Sequence, residues 1–276
     1  MVACPYCGSD QNTPWGKEAG YTTVKCESCD FLFLNPRPTG KTIDAAVRTG
    51  FTHTEAGDLD VSSRRVPRRI GLYRRIISKI FADIFAKGQP VSWLDIGAGY
   101  GEIIQAVTMV APSGSRVVGI EPMHVKAKAA QALGLSVTEG YLRRDHPKVQ
   151  IASLIDVFSH IPDFDSFLVD VSAVLVDNGV FLLETGNLAD LKRREDFFGE
   201  LGLPDHLAFA GEKHIVGFLD RAGFDVVQIE RYRIDGPICS AKNVVKKLLG
   251  RNVRVALPFT SEYRTLFIMA RKRPTA

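Results

Sequence analysis

Apolar residues recur along this chain in two rhythms. Between positions 66 and 87, Ile70, Tyr73, Ile76, Ile77, Ile80, Phe81, Ile84 and Phe85 fall at helical spacing, and Lys87-Gly88 supplies a stop. Beyond it, short apolar runs alternate with helical patterns. The runs predict strands at 91–96, 116–121, 135–139, 151–157, 180–185, 224–233 and 264–271. Between them the spacing predicts helices at 101–111, 123–133, 164–176 and 211–222. Strand and helix in alternation predict an α/β fold, with a mostly parallel seven-stranded sheet, helices on both faces and the last two strands antiparallel. A ligand is expected at the carboxyl ends of the strands. A basic insertion of about thirty residues, with Lys242, Lys246, Lys247, Arg251 and Arg254, separates the last two strands.

Residues 1–40 follow neither rhythm. Cys4-Pro5-Tyr6-Cys7 and Cys26-Glu27-Ser28-Cys29 are two C-x2-C knuckles with eighteen residues between them. Four thiolates at about 2.3 Å from one ion need two such tight turns, and four cysteines close the shell of a structural zinc site. Two disulfides or redox pairs are the rival readings; a cytoplasmic chain disfavours the first. Tyr21–Lys25 alternates like a strand and Phe31–Leu34 follows the second knuckle, as in a small zinc ribbon. Cys239 remains as an ordinary small apolar residue. Residues 41–90 read as a polar, loop-rich connector lying over the site, followed by the helix above, and 91–276 as the core.

The chemistry concentrates at Trp93-Leu94-Asp95-Ile96-Gly97-Ala98-Gly99-Tyr100-Gly101, a strand that breaks into alternating glycines before a helix. That geometry brings bare backbone and a helix N-terminus to a ligand. A dinucleotide fingerprint would place its third glycine at position 102, which is Glu102. Asp95, aimed at the loop, would repel a pyrophosphate and hold an ammonium group. Glu121 ends the next strand about twenty residues on, where an acid accepts hydrogen bonds from ribose hydroxyls. The implied ligand bears a ribose, lacks phosphate and has a cationic end.

Asp95-x-Gly97-x-Gly99-x-Gly101 followed by Glu121 resembles the class I S-adenosylmethionine (SAM)-dependent methyltransferase family over roughly residues 66–276. The resemblance implies a Rossmann-like core. It assigns Asp95, Gly97, Ala98, Gly99 and Gly101 to the methionine end of SAM, Glu121 and Pro122 to its ribose, and Gly140-Tyr141 to its adenine. Asp156, also given to the cofactor, opens the fourth strand's exit, Asp156–Asp163, which resembles a Glu-His-hydrophobic segment of related enzymes; Ser159 stands where the glutamate is common, and His160 matches. A Pro-x-His-Leu stretch, Pro204–Leu207, is similar to one in sugar and natural-product methyltransferases. An oxygen nucleophile needs its proton removed, so His206 and His160 are the candidate bases. Each is weighed against a merely structural hydrogen bond. His124 and His146 read as surface residues, and His214 as helical. Glu184 and Asn187 end the fifth strand within reach of a substrate, and Phe197 and Phe198 either wall the pocket or pack the core.

No serine-nucleophile elbow, Walker loop or metalloprotease helix is present. Without an Asn/Asp-Pro-Pro-Tyr/Phe signature after the fourth strand, the resemblance points to an oxygen or carbon acceptor. The favoured acceptor is a small molecule, neutral or anionic: a sugar, nucleotide-linked sugar or secondary metabolite. A net charge of +4 does not demand nucleic acid. The rivals are an RNA base methyltransferase with a zinc module and a SAM-binding scaffold without turnover. The arginines at 64, 65, 68, 69, 74 and 75 read as a solvated face or as a patch for an anionic substrate. No apolar run reaches the roughly 18 residues of a membrane span, and the start is not that of a signal peptide. The expectation is a cytoplasmic protein with no membrane partner; the oligomeric state is left open.

Overall fold

The computed structural model describes residues 1–54, 57–62, 69–250, 253, 255 and 257–274. Three strands open the chain: β1 (Asn12–Glu18), β2 (Tyr21–Cys26) and β3 (Leu32–Leu34). The expected polar connector is in fact α1 (Gly40–Thr49) and a hairpin of β4 (Phe51–Thr54) and β5 (Gly57–Asp60). The polar α1 escapes the periodicity test because it buries none of its residues. Its N-cap is Thr39, whose side chain accepts from the Thr42 amide. The predicted helix over 66–87 splits into α2 (Arg69–Ile80) and α3 (Ala82–Phe85); positions 66–68 lie outside the described residues.

The large sheet comprises β6 (Ser92–Ile96), β7 (Arg116–Glu121), β8 (Val137–Glu139), β9 (Val149–Ile155), β10 (Leu175–Gly186), β12 (Phe224–Tyr232) and β13 (Thr265–Lys272). Its order is β12-β13-β10-β9-β6-β7-β8, and β13 runs antiparallel to both neighbours. The crossovers carry α4 (Glu102–Thr108), α5 (His124–Ala132), α6 (Phe164–Val174) and α7 (Glu212–Arg221). Within the basic insertion, Pro237–Leu248 forms α8. The expected α/β sheet of seven strands is thus present, with α8 as an added element.

Side chains alternate across this sheet with the two-residue period of a strand. Leu94, Leu154, Phe181, Leu183 and Ile268 face α6 and α7. Trp93, Ile151, Val180, Leu182 and Phe267 face α2 and α4. The first layer does not stop at the sheet: Cys4, Val24, Cys26, Phe31 and Phe33 belong to the same buried cluster. Fully burying each of those two phenylalanines contributes about 1.5–3 kcal/mol.

The N-terminal strands form a sheet whose fourth member comes from far along the chain. β11 (Ala208–Phe209) pairs antiparallel with β3, Ala208 opposite Phe33. Leu32 and Leu34, on the other face of β3, pack with Leu188, Leu201, Leu203 and Leu207. Glu18, at the end of β1, accepts hydrogen bonds from the amides of Leu201 (2.7 Å), Gly202 (2.6 Å) and Leu203 (3.3 Å). A buried amide without its acceptor costs about 1–3 kcal/mol. Glu18→Ala is accordingly expected to lower unfolding free energy by about 1–3 kcal/mol in urea titration; an unchanged midpoint would remove this link.

Candidate functional site

The glycine turn between β6 and α4 forms one wall of a cleft of about 480 Å³ at the carboxyl ends of the strands. Asp95, Gly97, Ala98, Gly99, Glu121, Pro122, Asp156, His160 and His206 all line it. Gly101 sits behind them as the N-cap of α4 at φ 83°. A Cβ there would lie 2.2 Å from Leu135 Cδ1, so only glycine lets the turn close. Gly99, by contrast, has nothing nearer to such a Cβ than Glu102 Oε2 at 3.9 Å, so its backbone is bare toward the cleft.

Gly140 and Tyr141 do not line the cleft. The Gly140 amide donates to the Glu121 carbonyl at 3.0 Å, and the Tyr141 hydroxyl donates to Asp44 of α1 at 2.7 Å. Val47 of α1 and Val61 after β5 line it instead. A larger groove, about 770 Å³, is lined by β6, β7, β8 and the residues leading into β9, and holds none of the candidate residues.

Two buried acids set the electrostatics of the glycine wall. Glu121 accepts from the Gly99 amide at 2.7 Å and the Met123 amide at 2.8 Å. Asp95 is 2% exposed and accepts from Ser153 Oγ at 2.6 Å, and Ser153 in turn accepts from the Trp93 indole at 2.8 Å. Burial, with the nearby Glu121 and Glu102 charges, pushes the Asp95 carboxyl up to about 7. A cation in the cleft would favour its ionised form.

The opposite wall comes from the exit of β9 and the segment before β11. Asp156 takes a left-handed backbone at φ 61°, a conformation that Asp tolerates better than most residues. It pairs with Arg69 at 2.8 Å. Burial would raise its pKa, but Arg69 and the two histidines hold it below the ordinary carboxylate value. His160 and His206 meet edge to face, 4.9 Å between ring centres. The His160 Nδ1 proton goes to the Asp205 carbonyl at 2.9 Å, with the Asp205 carboxylate 3.4 Å away. Despite its burial, that carboxylate keeps His160 above its usual value. His206 is pushed the other way, by burial and by His160. Its Nδ1–H donates to the Leu201 carbonyl at 2.7 Å, which leaves Nε2 as the basic nitrogen.

His206 also lines a smaller chamber, about 90 Å³, together with Glu184, Phe197, Glu200, Phe209 and Tyr263. Burial, with Asp156 beside it, raises the Glu184 carboxyl to about 8, and its Oε2 has no hydrogen-bond partner among the described residues. Asn187 turns away, accepting from the Arg264 amide at 2.7 Å, and Phe198 is buried at 6% exposure. Among the remaining histidines, His214 is fully buried and joins α7 to the second knuckle, donating from Nε2 to the Cys29 carbonyl at 2.8 Å.

The four knuckle cysteines, Cys4, Cys7, Cys26 and Cys29, gather with all sulfurs within 4.8 Å of one another. Cys4–Cys29 and Cys7–Cys26 are each 3.6 Å apart. A tetrahedron with metal–sulfur bonds of about 2.3 Å has edges of about 3.8 Å, so the donor set is compatible with a zinc ribbon.

A family model described as a methyltransferase domain matches residues 66–229. The chain belongs to this methyltransferase family. No curated protein matches it. Among solved structures, a SAM-dependent methyltransferase from Archaeoglobus fulgidus superposes with a TM-score of 0.52 at 14% identity, covering 74% of this methyltransferase and 94% of that chain. The [4+2]-cyclase SpnF gives 0.51 at 15% identity, covering 87% and 99%. At such identities the likeness is one of fold. No helix among the described residues is long and apolar enough to cross a membrane.

The sequence had singled out both histidines but passed over Asp205, although it stands directly before His206. It also grouped Arg69 with other arginines, of which Arg64, Arg65 and Arg68 lie outside the described residues. Asp205→Asn is expected to lower the His160 titration midpoint, read by NMR of the ring protons. Because Asp205 raises that midpoint, its stabilising effect is present below the ordinary histidine value of about 6.5 and fades as pH rises through the His160 midpoint. An unmoved midpoint would show that the carboxylate does not act on His160.

Proposed function

We propose that this chain is a SAM-dependent methyltransferase acting on a hydroxyl of a small molecule such as a sugar or secondary metabolite, with His206 as the general base. One observation carries the reading. His206 is neutral, holds its Nδ1 proton on a backbone carbonyl, and lines both the large cleft and the small chamber. A hydroxyl in the chamber therefore meets the basic nitrogen on the border between the two spaces.

The cleft fits the cofactor. Its volume lies in the range of small-ligand sites, Gly99 gives bare backbone, and two carboxylates flank the loop. When bound, SAM supplies a methyl group on a positively charged sulfur, an electrophile that needs no further activation. The protein's part is alignment, exclusion of water and removal of one proton. Asp95 and the glycine backbone hold the cationic amino-acid end, and Glu121 receives the ribose hydroxyls. His206 Nε2 takes the acceptor's hydroxyl proton as that oxygen becomes the nucleophile. Asp205 and Asp156 compensate the positive charge that the histidine pair then carries. Glu184, largely protonated at neutral pH, orients the acceptor through its unpartnered oxygen.

Zinc at the four cysteines is structural in this reading, because the shell is closed. Cys4 and Cys26 share a buried cluster with Phe33 and Ala208, the residues paired between β3 and β11.

His206→Gln is expected to reduce turnover by about 10²-fold or more, with SAM affinity by calorimetry unchanged. Wild-type turnover in that variant would exclude His206 as the base. SAM affinity is also expected to fall on the acid side of neutrality. The ligand's cation selects ionised Asp95, so affinity drops about five-fold between pH 7 and pH 6 as the carboxyl takes up its proton. Asp95→Asn should show no such acid limb; an equally steep limb in the variant would assign it to another group.

A further inference from the structure

Helix α8 has its faces reversed. Ile238, Ala241, Val244, Val245, Leu248 and Leu249 share one side of it at helical spacing. Ile238, Leu248 and Leu249 are 75%, 82% and 75% exposed. Asn243 is the helix's one buried residue. It lies on the opposite side and donates to the Phe198 carbonyl at 3.2 Å. A surface helix ordinarily turns its apolar stripe to the core and its polar face to water. Here a polar residue holds the protein and the stripe points outward. Half of the exposed large apolar side chains among the described residues belong to 234–259, Leu257 and Phe259 included. Scattered exposed apolar residues need no explanation, whereas a contiguous set marks a docking surface.

Charge selects the occupant. Lys242 and Lys246 flank the stripe on one side and Lys247 on the other, and α8 contains no acidic residue. A second copy packed on the same face would bring six lysines together with no carboxylate from the helix between them. An anionic bilayer instead satisfies both features at once. The stripe enters the boundary between headgroups and acyl chains, and lysine stems lie along it with their ammonium groups among the phosphates. We propose that α8 docks this protein on an anionic lipid surface, lying in the plane of the interface. A twelve-residue helix is too short to span a bilayer, and lying on one requires no span. Lys246 also reaches Glu200 at 3.8 Å. Because Glu200 and Phe197 line the small chamber, docking would bring the rim of that chamber to the lipid surface.

The test is co-sedimentation of the full chain with vesicles of phosphatidylcholine alone or with about a third phosphatidylglycerol. We expect pelleting with the anionic vesicles that falls several-fold as salt is raised. Lys242→Glu/Lys247→Glu should weaken it several-fold and Leu248→Glu/Leu249→Glu should abolish it, with circular dichroism and SAM binding retained. Absence of binding to the anionic vesicles, or equal binding to both kinds, would overturn the proposal. So would light scattering that finds a dimer which Leu248→Glu/Leu249→Glu converts to a monomer, since that would give the stripe to a second copy. Vesicle binding does not depend on turnover, so this result and the fate of His206 as a base are read separately.

Discussion

The arrangement depends most on a backbone interaction between two distant stretches of chain. β3 pairs with β11, the Leu34 amide donates to the Leu207 carbonyl at 2.9 Å, and the Leu207 amide donates to Ser159 at 2.6 Å. The segment carrying Asp205 and His206 is thereby strung between the N-terminal sheet and the exit of β9. Glu18 fixes the preceding turn through three amides, and that turn presents the carbonyl that orients His206. Each contact is modest alone, about 0.5–1.5 kcal/mol net for a neutral hydrogen bond and more where a carboxylate accepts. Acting on one short loop, they fix the direction of a histidine ring that would otherwise sit on an irregular surface segment.

That rigidity is what lets burial separate two like side chains. His160 and His206 share a wall and a ring contact, yet one is raised and the other lowered. The difference is the nearer acidic partner: Asp205 sits 3.4 Å from His160, whereas His206 bonds only an uncharged carbonyl. Such a split leaves the two neighbouring imidazoles with unlike proton affinities, His160 the more basic and His206 the less. A similar separation runs through the cleft and the small chamber, where Asp95 and Glu184 are raised and Asp156 is lowered because Arg69 lies beside it.

What the sequence made legible was local. The strand, its glycine turn and Asp95 lie within nine residues, and period and spacing suffice to read them. The knuckles are equally contiguous, and the structure gathers all four sulfurs. Features set by distant partners were not legible. The β3–β11 pair joins positions some 175 residues apart, and nothing in Ala208-Phe209 announces a strand. Tyr141 is tied by its hydroxyl to Asp44, on a helix too polar to foresee. Arg69 was one of several arginines until the fold set Asp156 opposite it. The basic insertion showed its lysines plainly; that its apolar residues share an outward face needed the helix in place.

The family match begins at residue 66, so the N-terminal sheet lies outside it, while the loop it steadies lies inside. This division bears on how chemistry is distributed over the fold. A methyltransferase and a cyclase share the core, so the glycine turn and sheet leave the reaction undetermined. The wall opposite the glycines is held in part by residues from the N-terminal sheet. Cys29 accepts from His214 on α7, Tyr6 lies 4.9 Å from the same ring, and a Cβ on Gly217 would come within 2.1 Å of the Tyr6 hydroxyl. The first knuckle is thus seated directly on the helix that follows β11. Any loosening of the four-cysteine cluster reaches the His206 loop by two routes, through α7 and through β3. The N-terminal unit is thereby coupled to the geometry of the residue on which the proposed reaction turns.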